Sequence, residues 1–118
     1  MNIQHIQPNA RLSRAVVGNG QVFVTGQVAK TRTKDCAGQT EEVLAIIDEL
    51  LAEAGTDRSR MLYAQVWLRE IERDFAAMNG VWEKWISGHT PPARATVEAK
   101  LAAPDLLVEI AVTALAGN

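Results

Sequence analysis

Pro92-Ala93-Arg94-Ala95-Thr96-Val97-Glu98-Ala99-Lys100-Leu101, followed after a short Ala-Pro-Asp break by Leu106-Leu107-Val108-Glu109-Ile110-Ala111-Val112, decides how this chain is read. Both runs alternate with period two, the pattern of a strand whose faces meet different surroundings. In the first, Ala95, Val97, Ala99 and Leu101 oppose Arg94, Thr96, Glu98 and Lys100. In the second, Val108, Ile110, Val112 and Ala114 oppose Leu107, Glu109, Ala111 and Thr113. With Ala102 to Asp105 as the connection, a hairpin register puts Glu109 on the same face as Arg94, beside Thr96 or Glu98. The apolar faces then coincide and receive the helices, and Arg94 and Glu109 become the leading candidates for chemistry.

Working outward, Met61 to Arg69 alternates as well, with Leu62, Ala64, Val66 and Leu68 against Tyr63, Gln65, Trp67 and Arg69. A helix is predicted from about Arg73 to Ile86, its inner face built from Phe75, Met78, Val81 or Trp82, Trp85 and Ile86, and stopped by Gly88 and Pro91-Pro92. Upstream, Val43, Leu44, Ile46, Ile47, Leu50, Leu51 and Ala54 recur at spacings of three and four, giving an amphipathic helix that Gly55 ends. Before it, Asn19-Gly20 separates Ala15 to Gly18 from Gln21 to Gly26, a hairpin signal because both residues accept the positive φ angles of a type I′ turn. The expected order is β-β-α-β-α-β-β, an α+β fold with a mostly antiparallel sheet and two helices on one face. The other face would hold Trp67, Tyr63, Leu107 and Ala111 beside the charges, too apolar for open solvent, so other subunits are expected to cover it.

A length of 118 residues bounds the chain, 1–118, to a single domain. Twelve basic and fourteen acidic residues give a net charge of −2 without like-charge blocks, which disfavours a nucleic-acid partner. The lone Cys36 cannot form an internal disulfide, and His5 and His89 stand without the companions a zinc site needs, so no metal is expected. The N-terminal residues are polar and no run approaches spanning length, giving the expectation of a cytoplasmic protein with no membrane partner.

Pro92-Ala93-Arg94, Thr96-Val97 and Leu101, followed by Val108-Glu109-Ile110, resemble the C-terminal signature of the reactive intermediate deaminase family, YjgF/RidA. Asn19-Gly20, Phe23-Val24-Thr25-Gly26-Gln27 and Asp74-Phe75-Ala76-Ala77-Met78-Asn79 with Trp82 extend the likeness over nearly the whole chain. The resemblance implies a chorismate-mutase-like fold, a homotrimer with ligand clefts between subunits, and no cofactor. It implies hydrolysis of enamines and imines such as 2-aminoacrylate to a 2-keto acid and ammonia. By position, Arg94 would grip the substrate carboxylate and Glu109 would position or activate water, while Thr25, Gly26, Asn79 and Thr96 would line the site. Two departures from the family pattern stand out: Thr96 where many members have Cys, and Leu12-Ser13-Arg14 where many have a Tyr.

The chemistry is sound on its own terms. A guanidinium fork matches a planar carboxylate with two parallel charge-assisted bonds, which a Lys cannot do. A carboxylate in a partly buried cleft has a tunable pKa and serves as a general base. Each residue also has a plainer reading: Arg94 as a solvated strand residue, Glu109 as a cross-strand ion-pair partner, Asn79 and Thr25 as local backbone braces. Glu98 and Lys100 are read as rim or interface charges, and Cys36 as an incidental thiol. The alternative function is a trimer that binds a small carboxylate in the same clefts without turnover.

Overall fold

Asn19 and Gly20 sit at φ angles of 53° and 75°, so the first hairpin turns where the dipeptide says it does. In this computed structural model, which describes residues 2–117, the turn joins β2 (Ser13–Gly18) to β3 (Gln21–Gln27), with Gly18 opposite Gln21. A strand that the sequence reading lacks, β1 (Gln4–Pro8), pairs antiparallel with β2. Its pattern is weak because only Ile6 is buried, the other four residues being exposed on a sheet edge.

Helix α1 (Cys36–Glu53) opens with the Asp35 side chain accepting from the Gly38 amide at 2.9 Å, a standard N-cap. It closes with Gly55 at φ 81°, where the Gly55 and Thr56 amides bond back to Ala52 and Leu51. Val43, Leu44, Ile47, Leu50 and Leu51 are fully buried, the stripe that the spacing predicts. After a 3₁₀ turn at Arg58–Arg60 come β4 (Met61–Leu68), α2 (Ile71–Ile86), β5 (Ala93–Glu98) and β6 (Val108–Leu115). Along α2 the inward residues are Asp74, Met78, Trp82 and Ile86. Phe75, expected inside, is 43% exposed, because the inward stripe is set one residue earlier and Asp74 occupies that place.

The strand order is β1-β2-β3-β6-β4-β5, and this overturns the expected hairpin of the last two strands. β5 runs parallel to β4 on the sheet edge, and β6 inserts between β3 and β4, antiparallel to both. The physical reason is the crossover: α2 returns the chain to the starting end of β4, so β5 must run alongside it in the same direction. β6, whose Val108, Ile110, Val112 and Ala114 are all buried, belongs in the sheet centre, and the charge-bearing β5 belongs at an edge. The connection between them is pinned by Arg69, which donates to the carbonyls of Leu101, Ala103 and Leu106.

The face assignment of β5 also inverts. Ala64, Val66 and Leu68 of β4 face the helices, and their partners on β5 are Arg94, Thr96 and Glu98. Ala95 and Val97 lie on the opposite face with Gln65 and Trp67, and Glu109 is the other neighbour of Trp67. Arg94 and Glu109 therefore stand on opposite faces of the sheet, not on one as the hairpin register predicts. With Arg94, Thr96 and Glu98 on the helix side and Glu109 left on the other, the open face is more apolar than expected: Phe23, Tyr63 and Val97 are 46%, 40% and 45% exposed there.

Candidate active site

On the helix side, β5 presents Arg94 to α2. Its Nη2 donates to Asn79 Oδ1 at 2.7 Å, Nη1 lies 3.7 Å from Met78 Sδ, and the guanidinium carbon sits 5.2 Å from the ring centre of Trp82. Asn79 is thus an orienting residue, a role that its spacing from the apolar stripe hints at without naming the partner. Burial holds the Arg94 pKa below its ordinary value, opposed by the charge of Glu83. No carboxylate pairs with Arg94 among the described residues. A guanidinium carries five N–H donors, so a fork fixed by one amide and stacked on an indole keeps donors for a planar anion.

Thr96 lies two residues along on the same face, and its Oγ1 is buried without a hydrogen-bond partner. Such a hydroxyl costs about 1–3 kcal/mol when left unsatisfied. Glu98, read from the sequence as a rim charge, accepts from the Ile71 amide at 3.1 Å and caps α2, whose own N-cap residue Glu70 makes no such bond.

Across the sheet, Glu109 packs against Gly26. The register of β3 on β6 shifts between Val24 and Gln27, a bulge that brings the backbone of Gly26 up to the carboxylate. A Cβ at position 26 would overlap Glu109 Oε2, so glycine is what lets the carboxylate keep this position. Glu109 enters no ion pair among the described residues, and burial alone pushes its pKa up. A carboxylate of raised pKa held off from cations is suited to taking a proton from water. Thr25, Gly26 and Glu109 are thus brought together, as are Arg94, Asn79 and Thr96, but the two groups are separated by the sheet.

The remaining candidates fall outside both groups. Cys36 is buried, its thiol pushed up to about 11 chiefly by burial, which removes it as a nucleophile. No group of three or more His, Cys, Asp or Glu side chains among the described residues could hold a metal ion. No helix among them is long and apolar enough to cross a membrane. Trp82, a candidate for the inner face of its helix from the sequence, also serves as the surface under Arg94. Arg14 enters the neighbourhood of Thr25 through Gln27, a placement no sequence pattern announced.

Sheet topology, helix placement and the Arg94 cluster define an α+β domain of the chorismate-mutase-like kind. The family model described as Endoribonuclease L-PSP matches residues 2–116. The chain is 44% identical over 115 residues to a RutC family protein of Haemophilus influenzae, covering 97% of this chain and 98% of that one. It is 38% identical over 114 residues to the RutC family protein YoaB of Escherichia coli, with 97% and 98% covered. The crystal structure of a YjgF family member from Neisseria meningitidis matches with a TM-score of 0.95 at 43% identity, across 100% of this chain and 98% of that one. The chain belongs to the YjgF/RidA family.

Proposed function

We propose that the protein hydrolyses reactive 2-imino and 2-enamino acids of the 2-aminoacrylate type to 2-keto acids and ammonia, as a homotrimer with sites between subunits. The observation that carries this reading is the division of the candidate residues. Arg94 and Glu109 are both half-buried, both without an ionic partner among the described residues, and on opposite faces of one sheet. One chain cannot bring them to one ligand; two copies can, if the Arg94 edge of one meets the Glu109 face of the next.

In such a cleft Arg94 holds the substrate carboxylate with its remaining donors, and Thr96 supplies a hydroxyl beside it. Glu109 takes a proton from water as the oxygen bonds to C2 of the iminium, giving a carbinolamine. The carboxylic acid then returns that proton to the amine nitrogen; as the C2–N bond breaks and ammonia leaves, the carboxylate takes the proton of the C2 hydroxyl, the carbonyl forms, and the ammonia carries that proton away as ammonium. Water is consumed and no electrons are transferred, so the step needs no cofactor. Orienting a substrate that already reacts with water accounts for useful acceleration.

The name of the matching family model raises RNA cleavage, but a net charge of −2 lacks the phosphate-neutralising excess such a substrate calls for. A carboxylate-binding trimer without turnover is the other reading, and one assay separates the two. 2-Aminoacrylate generated by a serine dehydratase is followed to pyruvate. Acceleration over the spontaneous rate, lost with Arg94→Ala and reduced at least about tenfold with Arg94→Lys, is expected, since Lys keeps the charge and loses the fork. Carboxylate binding without acceleration overturns the enzyme.

A further inference from the structure

A cleft of about 500 Å³ opens where β2 meets the loop after β3. Leu12, Thr25 and Gly26 line it together with three cations, Arg14, Lys30 and Arg32, and no carboxylate is among its lining residues. In a chain of net charge −2 this is a local inversion of sign. Arg14 is half-buried and held by two neutral oxygens: its Nη1 donates to Gln7 Oε1 at 3.2 Å and its Nη2 to Gln27 Oε1. Gln27 is only 4% exposed and is itself fixed, its amide donating to the Thr25 carbonyl at 2.9 Å. The guanidinium is therefore oriented without being neutralised. Lys30 forms no ion pair among the described residues, and Arg32 has only an exposed contact with Asp105 at 3.4 Å, of little energetic worth.

The cleft shares Thr25 and Gly26 with the Glu109 half of the candidate site. It therefore adjoins the strand end against which Glu109 packs, and its three cations belong to the same chain as that carboxylate. Leu12 gives the rim no aromatic ring, so a small apolar substituent would find little to stack on, whereas an anion would find an oriented fork.

We infer that the substrate carries a second negative charge: the protein acts on 2-imino acids with a side-chain carboxylate, one or two methylene groups from C2. Arg94 of one copy takes the carboxylate next to C2, and Arg14 of the copy that supplies Glu109 takes the distal one, with Lys30 adding to the field. This rests on the deaminase reading and narrows it to a substrate class. A site built around an oriented charged donor rejects an analogue that leaves it unpaired, so the discrimination expected is large.

Two imines made in place by flavin oxidases provide the test: 2-iminoglutarate from D-glutamate with D-aspartate oxidase, and 2-iminopropanoate from D-alanine with D-amino-acid oxidase. Semicarbazide trapping reads the imine that escapes hydrolysis. The wild type is expected to show a kcat/KM for 2-iminoglutarate at least about tenfold above that for 2-iminopropanoate, and Arg14→Gln to reduce that ratio about tenfold. Lys30→Gln reduces it less. Titration of the unmodified protein with the two products, 2-oxoglutarate and pyruvate, gives a readout that needs no variant, and 2-oxoglutarate is expected to bind at least about tenfold more tightly. Hydrolysis of 2-iminopropanoate without preference for the dicarboxylic imine, or a ratio unmoved by Arg14→Gln, overturns this inference and leaves the deaminase reading standing. Hydrolysis of neither imine overturns both.

Discussion

Glu109 has its pKa raised by burial alone, and that has two consequences of opposite sign. As a general base it works only when ionised, so activity should fall on acidification through a pKa above the ordinary Glu value of 4.5. For stability, a carboxylate whose folded pKa exceeds its unfolded one holds more protons in the folded state across that window, so the fold loses stability as pH rises through it. Glu109→Gln is therefore expected to abolish turnover while raising the thermal midpoint at pH 7, checked by imine hydrolysis and calorimetry side by side. An unchanged or lower midpoint would mean that the carboxylate has found a compensating partner. Gly26→Ala probes the same spot by volume. Its methyl would overlap the carboxylate of Glu109, which as the end of a flexible side chain can swing away. The expected result is at least a tenfold loss of kcat with little change in the urea midpoint. At this scale the candidates were legible: Arg94 stands out as a charge between Ala93 and Ala95, and Glu109 as one between Val108 and Ile110. What the sequence could not tell was their partners, since Asn79 and Trp82 reach Arg94 through tertiary contact, and Arg14 reaches Thr25 through Gln27.

At the level of elements, the turn and cap signals were reliable and the neighbour relations were not. Asn19-Gly20 and Gly55 act within a few residues of themselves, so their structure is written locally. The adjacency of β5 and β6 is decided by competition for places in a sheet, and the stretch from Ala99 to Leu107 carries the chain past β4 instead of folding back on β5. The amphipathic pattern of β5 misled for a related reason: Ala95 and Val97 look like core, but on an edge strand the helix-facing side had room for a guanidinium beneath α2. Glu98 belongs to this scale too, because it ties the edge strand to the start of that helix. Glu98→Ala should cost about 1 kcal/mol of stability, read from denaturant unfolding, as the Ile71 amide loses its acceptor. Arg94 activity should fall with it only modestly, since Asn79 lies two turns further along α2.

For the whole molecule, the open sheet face is the decisive feature. Phe23, Tyr63, Val97 and Leu115 are each more than a third exposed on it, and the two halves of the candidate site lie on opposite sides of the same sheet. Association of copies relieves both conditions at once. Light scattering is expected to give about three times the chain mass of 12.9 kDa, and a monomer would remove the shared cleft. The most direct test is complementation between two inactive variants, Arg94→Ala and Glu109→Gln, co-expressed and purified as mixed assemblies. If the site takes Arg94 from one subunit and Glu109 from its neighbour, random mixing leaves about a quarter of the sites intact, and imine hydrolysis should return to roughly that fraction of wild type. Mixed assemblies as inactive as either variant alone would contradict a site built from two copies.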